Sequence, residues 1–176
     1  MTIPNFITIG RLFLVPLAVL MIGQGRWVAA FTIFIVAGVS DAVDGFLAKR
    51  FGMSSELGSY LDPIADKALI VAIYVTLAIG GIIPAWLAIL VVSRDIIIVS
   101  GVILSWLMEK PVEMSPFIVS KLNTAAQIGF AALVLGVKAF GIDPGAGFDV
   151  AAAIVALLTL SSMGAYLAFW LKHMAA

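Results

Sequence analysis

Four aspartates fall within residues 41–66 of a 176-residue chain in which 63% of the residues are hydrophobic. Asp41 and Asp44 are three positions apart, so both would lie on one face of a helix. Asp62 and Asp66 are four positions apart and would share a helical face in the same way. Two such faces brought together predict a site with four carboxylates.

A site built from carboxylate oxygens selects hard divalent cations, Mg²⁺ or Mn²⁺, over zinc or copper. Four carboxylates can hold two such ions, which would stabilise the attacking and the leaving oxygen of a phosphoryl displacement. Without cations, four anions so close together could not all stay ionised. We therefore predict two divalent ions and phosphoryl-transfer chemistry. The alternative is that the aspartates only cap helix ends near the membrane surface.

Composition excludes most other kinds of catalytic site. The sequence has no cysteine and one histidine, His173, so disulfides, thiolate ligands and multi-histidine metal sites are excluded. Acid–base chemistry must then use carboxylates or lysines. The net charge of zero argues against a nucleic-acid partner, because the chain has no excess of positive charge to hold a polyanion.

Small residues accompany the aspartates. Gly45 and Ala48 each stand four positions after an aspartate of the first pair, and Gly58 stands four positions before the second pair. Small side chains let a ligand or a neighbouring helix approach closely. The stretch reads D-x2-D-G-x2-A-K-x8-G-x3-D-x3-D, and it resembles the motif of the integral-membrane CDP-alcohol phosphotransferases. The segments I-P-N-F-I-T-I-G-R and S-K-L-N-T-A-A-Q extend the resemblance over most of the chain.

One position differs from the motif of that family, which usually has arginine where this chain has Lys49. Lysine keeps the positive charge but lacks the planar fork that binds a phosphate through two parallel hydrogen bonds. Either Lys49 or the adjacent Arg50 is therefore expected to fill the role of that arginine.

The resemblance implies a role for each motif residue. The metal ligands would be the four aspartates, Asp41, Asp44, Asp62 and Asp66. Asp66 would also be the general base that accepts the proton of the acceptor hydroxyl. The CDP site would be lined by Gly45, Ala48, Lys49 and Gly58. The reaction implied is attack of an alcohol on the β-phosphorus of CDP-diacylglycerol with release of CMP, and a homodimer is expected.

Hydropathy predicts the fold class. Only 11% of the residues are charged, against about 25% in soluble proteins. Apolar runs of about 20 residues can cross a bilayer as helices. Six such runs are present, at 4–24, 27–48, 57–80, 84–108, 117–140 and 149–172. We predict an all-α integral membrane protein, a single domain over residues 1–176 with six transmembrane helices in one bundle.

The distribution of positive residues predicts the orientation of these spans. Six spans put both chain ends on one side of the membrane. Cations near the span ends divide four to two in favour of that side, with Lys49, Arg50, Lys110 and Lys172 against Arg26 and Lys138. Because cytoplasmic loops carry the excess of lysine and arginine, we predict that the termini and the carboxylate site face the cytoplasm, in a bacterial inner membrane.

Polar residues recur every three positions in the first span, at Asn5, Thr8 and Arg11. One interpretation is that Asn5 and Thr8 are interfacial and that Arg11 extends to the lipid headgroups. The other is that all three approach the pyrophosphate of the substrate, as the similar opening of family members implies.

The fourth and fifth spans carry candidate residues for the acceptor. Arg94 and Asp95 have long apolar flanks, and because adjacent helical residues do not face each other, we do not expect them simply to neutralise one another. Charge this deep usually faces an interior or a wet cavity. Lys121, Thr124 and Gln127 form a polar stripe, either for hydrogen bonds between helices or for an acceptor headgroup.

The acceptor itself is predicted from local sequence. The segments V-S-R-D and F-I-V-S-K-L-N-T-A-A-Q resemble the cardiolipin synthase branch of the family more than the phosphatidylglycerophosphate synthase branch. Glycerol 3-phosphate, a phosphomonoester, carries more negative charge than the diester phosphatidylglycerol. Asn123 takes the place of a second lysine, so a pocket with Arg94 and Lys121 would suit the monoanion. Phosphatidylglycerol is the predicted acceptor, and glycerol 3-phosphate is the alternative.

Two other classes of protein are compatible with intramembrane carboxylates. A cation transporter would use them too, but it would more typically show repeats and broken helices at the membrane midplane. A structural membrane subunit without catalysis is the other possibility. Release of CMP from CDP-diacylglycerol in the presence of a divalent cation distinguishes both from an enzyme.

Overall fold

The computed structural model describes residues 3–51, 56–108 and 118–174. Within these ranges it describes the side chains of residues 9–41, 43, 67–101, 103–105, 107–108 and 118–173. The described chain forms six α-helices: α1 (Ile3–Gly23), α2 (Trp27–Phe51), α3 (Glu56–Ile79), α4 (Ala85–Leu107), α5 (Ile118–Phe140) and α6 (Ala146–Met174). The first and last residues of each helix lie within three residues of the ends of the corresponding predicted apolar run. The all-α prediction is therefore confirmed.

Three of these helices are long and apolar enough to cross a membrane. The spans are Ala85–Ser105, Ile118–Phe140 and Ala146–His173. Within the described residues the apolar parts of the other three helices are shorter, at Ile9–Gly23, Trp27–Asp41 and Lys67–Ile79. The chain is therefore an integral membrane protein with three candidate spans among its described residues, and the prediction of six spans in one bundle stays a prediction.

The helices form two compact units. The first contains residues 1–82 and 131–143, and the second contains residues 83–130 and 144–176. In the first unit α1 packs against both α2 and α3, and in the second unit α4 packs against α6. Helix α5 contributes its first half to the second unit and its last half to the first. The carboxylate motif therefore belongs to the first unit, and Arg94 and Lys121 belong to the second.

The described helices bury an apolar core, but they also bury several polar side chains and expose many large apolar ones, which is unusual for a soluble domain. The side chains of Phe13 and Ile79 are 72% and 83% exposed. Several polar side chains are buried instead: Arg11, Arg94, Asn123, Gln127, Thr159 and Ser162. A bilayer explains this distribution, because lipid solvates the apolar surface and each buried polar group is expected to find a partner within the protein.

Small buried residues line the helices of the first unit. Ala18 on α1 and both Ala30 and Ala37 on α2 are at most 1% exposed. Small side chains let helix backbones approach closely, and this close contact drives helix association in a membrane. Close contact between α1 and α2 is therefore possible at the levels of these alanines.

The three helices α1, α3 and α5 end in the same kind of turn. At the end of α1 the Arg26 N–H donates to the Met21 carbonyl at 2.9 Å, and Gly25 has a φ of 68°. The ends of α3 and α5 repeat this pattern with Gly81 and Gly141, whose φ values are 67° and 65°. These are Schellman-type caps, which place glycine in the left-handed conformation. Glycine in the left-handed conformation therefore ends each of these three helices in a tight turn.

Replacing Gly25 by alanine should lower the free energy of unfolding by about 1 kcal/mol, because an alanine at a φ of 68° is strained. Gly23→Ala is the matched control, since Gly23 lies in helix α1 and a Cβ there meets no atom within 4 Å. Thermal unfolding in detergent should therefore show a lower apparent Tm for Gly25→Ala only. Equal Tm values for the two variants would contradict the role of the cap.

Candidate active site

The described part of the carboxylate motif is anchored by a salt bridge between α1 and α2. Nη1 of Arg11 lies 2.7 Å from Oδ1 of Asp41. Arg11 lies twelve residues before the end of α1, and Asp41 lies fourteen residues after the start of α2. In an antiparallel hairpin with a tight turn these two positions come to nearly the same level, because each residue of an α-helix advances by about 1.5 Å. The hairpin therefore brings the two charges together.

The environments of the two charged side chains differ. The side chain of Arg11 is 1% exposed and that of Asp41 is 46% exposed. The interpretation that Arg11 extends to the lipid headgroups is therefore wrong. A carboxylate within 2.7 Å provides a counter-ion inside the protein, so the guanidinium has no need to reach the interface.

The backbone gives the positions of the other motif residues. Position 44 lies on α2 one turn after Asp41, and positions 62 and 66 lie one turn apart on α3. Both helices pack against α1. Several predicted site side chains lie outside the described side chains: Asn5, Thr8, Asp44, Gly45, Ala48, Lys49, Gly58, Asp62 and Asp66.

Of the four aspartates predicted to hold a hard divalent cation, the structure describes the side chain of Asp41, and this side chain fits such a site. No group of three or more possible metal ligands occurs among the described side chains, which include only Asp41 of the four aspartates. The Asp41 carboxylate is nearly half exposed, so a cation can reach it. Its oxygens are ligands that Mg²⁺ and Mn²⁺ prefer.

The second unit contains a buried arginine at the centre of a polar cluster. Arg94 is 3% exposed, and its Nη1 lies 2.6 Å from Oδ1 of Asp95. Its Nη2 donates to the Ser120 hydroxyl at 2.5 Å and to the Ser162 hydroxyl at 2.8 Å. The guanidinium also lies 5.8 Å from the centre of the Tyr166 ring. Arg94 thus links α4 to both α5 and α6.

The contact between Arg94 and Asp95 corrects one prediction from the sequence. Neighbouring helix positions were expected to point apart, yet the two side chains form a salt bridge. The arginine side chain is long and flexible enough to bend back to the next residue. Burial favours that conformation, because an unpaired charge in a low-dielectric interior is costly. Of the two surroundings expected for Arg94, an interior or a wet cavity, its burial supports the interior.

The polar stripe on α5 divides into two parts. Gln127 is buried and its Nε2 lies 3.5 Å from the Thr159 hydroxyl of α6, which is hydrogen bonding between helices. Lys121 and Thr124 are exposed, and the Thr124 hydroxyl donates to the Ser120 carbonyl of its own helix. Within the second unit Lys121 is therefore exposed enough to contact a headgroup, whereas Gln127 joins α5 to α6.

Asn123 was considered as part of the acceptor pocket, but the structure gives it another role. Its side chain is fully buried, and its Oδ1 accepts a hydrogen bond of 2.8 Å from the Thr159 hydroxyl. Asn123 therefore faces α6, while Lys121, two positions earlier, is exposed. An amide at this position is explained by helix packing and need not reflect the charge of an acceptor.

Sequence reasoning missed the partners of both buried arginines. The three-residue recurrence drew attention to Arg11, but nothing in the sequence paired it with Asp41. Ser120 and Ser162 carried no signal, because isolated serines in apolar helices are common. Their roles depend on which helices lie side by side.

Comparison with known proteins identifies similar sequences. A sequence model of the CDP-alcohol phosphatidyltransferase family matches residues 1–161. The chain is 30% identical to the cardiolipin synthase (CMP-forming) of Homo sapiens over 94% of this chain and 60% of that protein. It is 31% identical to the chloroplastic CDP-diacylglycerol–glycerol-3-phosphate 3-phosphatidyltransferase 1 of Oryza sativa, over 94% of this chain and 56% of that protein.

A third relative is longer. It is the cardiolipin synthase (CMP-forming) / mitochondrial hydrolase fusion protein of Schizosaccharomyces pombe, with 31% identity over 94% of this chain and 30% of that protein. The chain thus spans between 30 and 60% of the length of these three curated relatives.

Replacing Asp95 by asparagine should lower the free energy of unfolding by about 1–3 kcal/mol, because the buried Arg94 loses a carboxylate 2.6 Å away. The matched control is Asp149→Asn, at an exposed position in the first turn of α6, where the cost is at most about 1 kcal/mol. Thermal unfolding in detergent compares the two. A shift for Asp95→Asn no larger than that of the control would contradict the importance of the pair.

Proposed function

The chain belongs to the CDP-alcohol phosphatidyltransferase family, and we propose that it transfers the phosphatidyl group of CDP-diacylglycerol to the hydroxyl of phosphatidylglycerol, forming cardiolipin and CMP. The observation that carries this proposal is the family match over residues 1–161, which includes the whole carboxylate motif. Because the chain spans only part of its curated relatives, its activity, substrates and partners are all part of the proposal.

The proposed reaction is a displacement at phosphorus. The acceptor hydroxyl oxygen attacks the β-phosphorus, the bond from that phosphorus to the bridging oxygen of CMP breaks, and CMP leaves. Asp66 accepts the proton of the hydroxyl. Divalent cations, Mg²⁺ or Mn²⁺, held by the four aspartates would stabilise negative charge on the attacking and leaving oxygens. Gly45, Ala48, Lys49 and Gly58 line the CDP site in this proposal, with Asn5 and Thr8 near the pyrophosphate.

The membrane character of the chain supports lipid substrates. Both proposed substrates carry acyl chains, so they reach the site from within the bilayer. Three candidate spans and the exposed apolar side chains are consistent with such access. We further propose that the chain crosses a bacterial inner membrane six times. The carboxylate site and both chain ends would face the cytoplasm, and two copies would form a homodimer.

Charge supports phosphatidylglycerol as the acceptor. Asp95 lies 2.6 Å from Arg94 and offsets its positive charge. The pair therefore attracts the doubly charged form of a phosphomonoester less strongly than an isolated arginine would. The single negative charge of a diester suits this environment better. Because Arg94 is buried, the exposed Lys121 is the cation that would contact the headgroup directly in this proposal.

Glycerol 3-phosphate is the second candidate acceptor, and the similarity to the rice enzyme favours it. That relative is named for this acceptor, and its identity to the chain, 31%, is close to the 30% of the human cardiolipin synthase. Overall similarity therefore does not distinguish the two acceptors. Under this alternative the product is phosphatidylglycerophosphate.

We predict that the purified chain in detergent, given CDP-diacylglycerol and Mg²⁺ or Mn²⁺, forms cardiolipin when phosphatidylglycerol is added. Each acceptor is supplied in a separate reaction, and the lipid product is identified by its mass. Phosphatidylglycerophosphate formed from glycerol 3-phosphate, without cardiolipin from phosphatidylglycerol, would support the second candidate. No release of CMP with either acceptor would refute transferase activity and leave a transporter or structural subunit.

Asp66→Asn should reduce turnover by more than about 10²-fold, because an amide cannot accept the proton of the acceptor hydroxyl. Asp149→Asn, which also changes an aspartate to asparagine but at an exposed position on α6, should leave turnover within about twofold of the wild type. Circular dichroism checks that both variants retain their helices. Turnover of Asp66→Asn within tenfold of the wild type would refute its role as the base.

A further inference from the structure

The salt bridge between Arg11 and Asp41 joins a fixed cation to an accessible carboxylate. The side chain of Arg11 is 1% exposed, whereas that of Asp41 is 46% exposed. Arg11 lies on α1, outside the aspartate motif, and reaches the motif only because α1 packs against α2. The Arg11 guanidinium therefore lies in the interior of the first unit, and the Asp41 carboxylate is accessible from outside that unit.

A buried guanidinium is suited to orienting a carboxylate. It is planar and stays charged, and burial restricts the rotamers of its side chain. A carboxylate has about four acceptor positions on its two oxygens. Asp41 can therefore bind Arg11 and a divalent cation at the same time. Residues that hold a metal ligand in this way orient the ligand and change the affinity of the site.

The charge of Arg11 has a second effect. A positive charge 2.7 Å from a carboxylate oxygen offsets part of the negative charge that an incoming cation meets, and it also repels that cation. Arg11 should therefore weaken the binding of divalent cations while it orients the ligand. A neutral residue of similar size would neither attract the Asp41 carboxylate through charge nor repel the incoming cation.

We propose that Arg11 is a positioning residue of the carboxylate site, which orients Asp41 and lowers the affinity of the site for divalent cations. The inference rests on the proposed function in one respect, namely that Asp41 is a metal ligand. It adds a residue of α1 whose charge sets how tightly the site holds its cations.

The first test measures Mn²⁺ binding to the purified chain without lipid substrate, by electron paramagnetic resonance of the free ion. Arg11→Gln keeps an N–H donor and removes the charge, so its Kd for Mn²⁺ should fall about three- to tenfold. Arg11→Met is a second neutral variant, and either one that keeps the helical circular dichroism of the wild type is sufficient. Arg11→Lys keeps the charge, and its Kd should stay within about twofold.

Lys138→Gln is the control for net charge. It also removes one positive charge from the first unit, but Nζ of Lys138 lies 5.9 Å from the centre of the Trp27 ring. Trp27 is the first residue of α2 and lies about 20 Å along the helix from Asp41. The Kd of this variant should stay within about twofold of the wild type. Tightening equal to that of Arg11→Gln would overturn the inference.

The second test measures transfer at saturating Mn²⁺, where differences in affinity no longer matter. Arg11→Met should lose at least about tenfold in kcat because Asp41 loses its orientation, and Arg11→Lys should recover most of that loss. A wild-type kcat for Arg11→Met would overturn the positioning role.

The two tests separate this inference from the proposed function. If the wild type binds Mn²⁺ and releases CMP, but the neutral variants bind Mn²⁺ no more tightly, the inference is wrong and the proposed function stands. If the wild type binds no Mn²⁺ and releases no CMP, the proposed function is wrong, and the inference is wrong with it.

Discussion

The cost of burying charge in an apolar environment governs both units of this chain. A guanidinium removed from water must be compensated by nearby groups, or its unit would not be stable. Arg11 is compensated by an aspartate on the neighbouring helix, and Arg94 by an aspartate on its own helix together with serine hydroxyls. Because the counter-ions come from particular positions, these contacts also restrict which helix faces can pack together.

The same constraint connects stability with chemistry. If the four aspartates meet as proposed, their carboxylates would repel one another strongly in a bilayer protein. Positive charge would then have to accompany them, and Arg11, beside Asp41, would be part of it. Divalent cations would supply the rest in the proposed reaction. A site that needs cations in order to remain charged is well suited to stabilising the charge that develops on a phosphoryl group.

The second unit uses its polar groups differently. Thr159 joins Asn123 and Gln127, and Arg94 joins Ser120 and Ser162, so most of the described buried polar groups there link helices to one another. Hydrogen bonds of this kind stabilise and orient membrane helices. Only a few polar side chains then remain exposed for an acceptor, and Lys121 is one of them.

The sequence by itself determined the helices and their ends, and it predicted the nature of the site. Continuous apolar runs located all six described helices within three residues, because hydrophobicity is a local property of the chain. The types and spacing of the aspartates indicated a carboxylate site, and the family match includes that stretch. Only the tertiary structure decided that Arg11 pairs with Asp41, that Arg94 bends back to Asp95, and that Asn123 faces α6. These contacts depend on helix packing and on the conformations that burial imposes on long side chains, and one-dimensional spacing does not encode either.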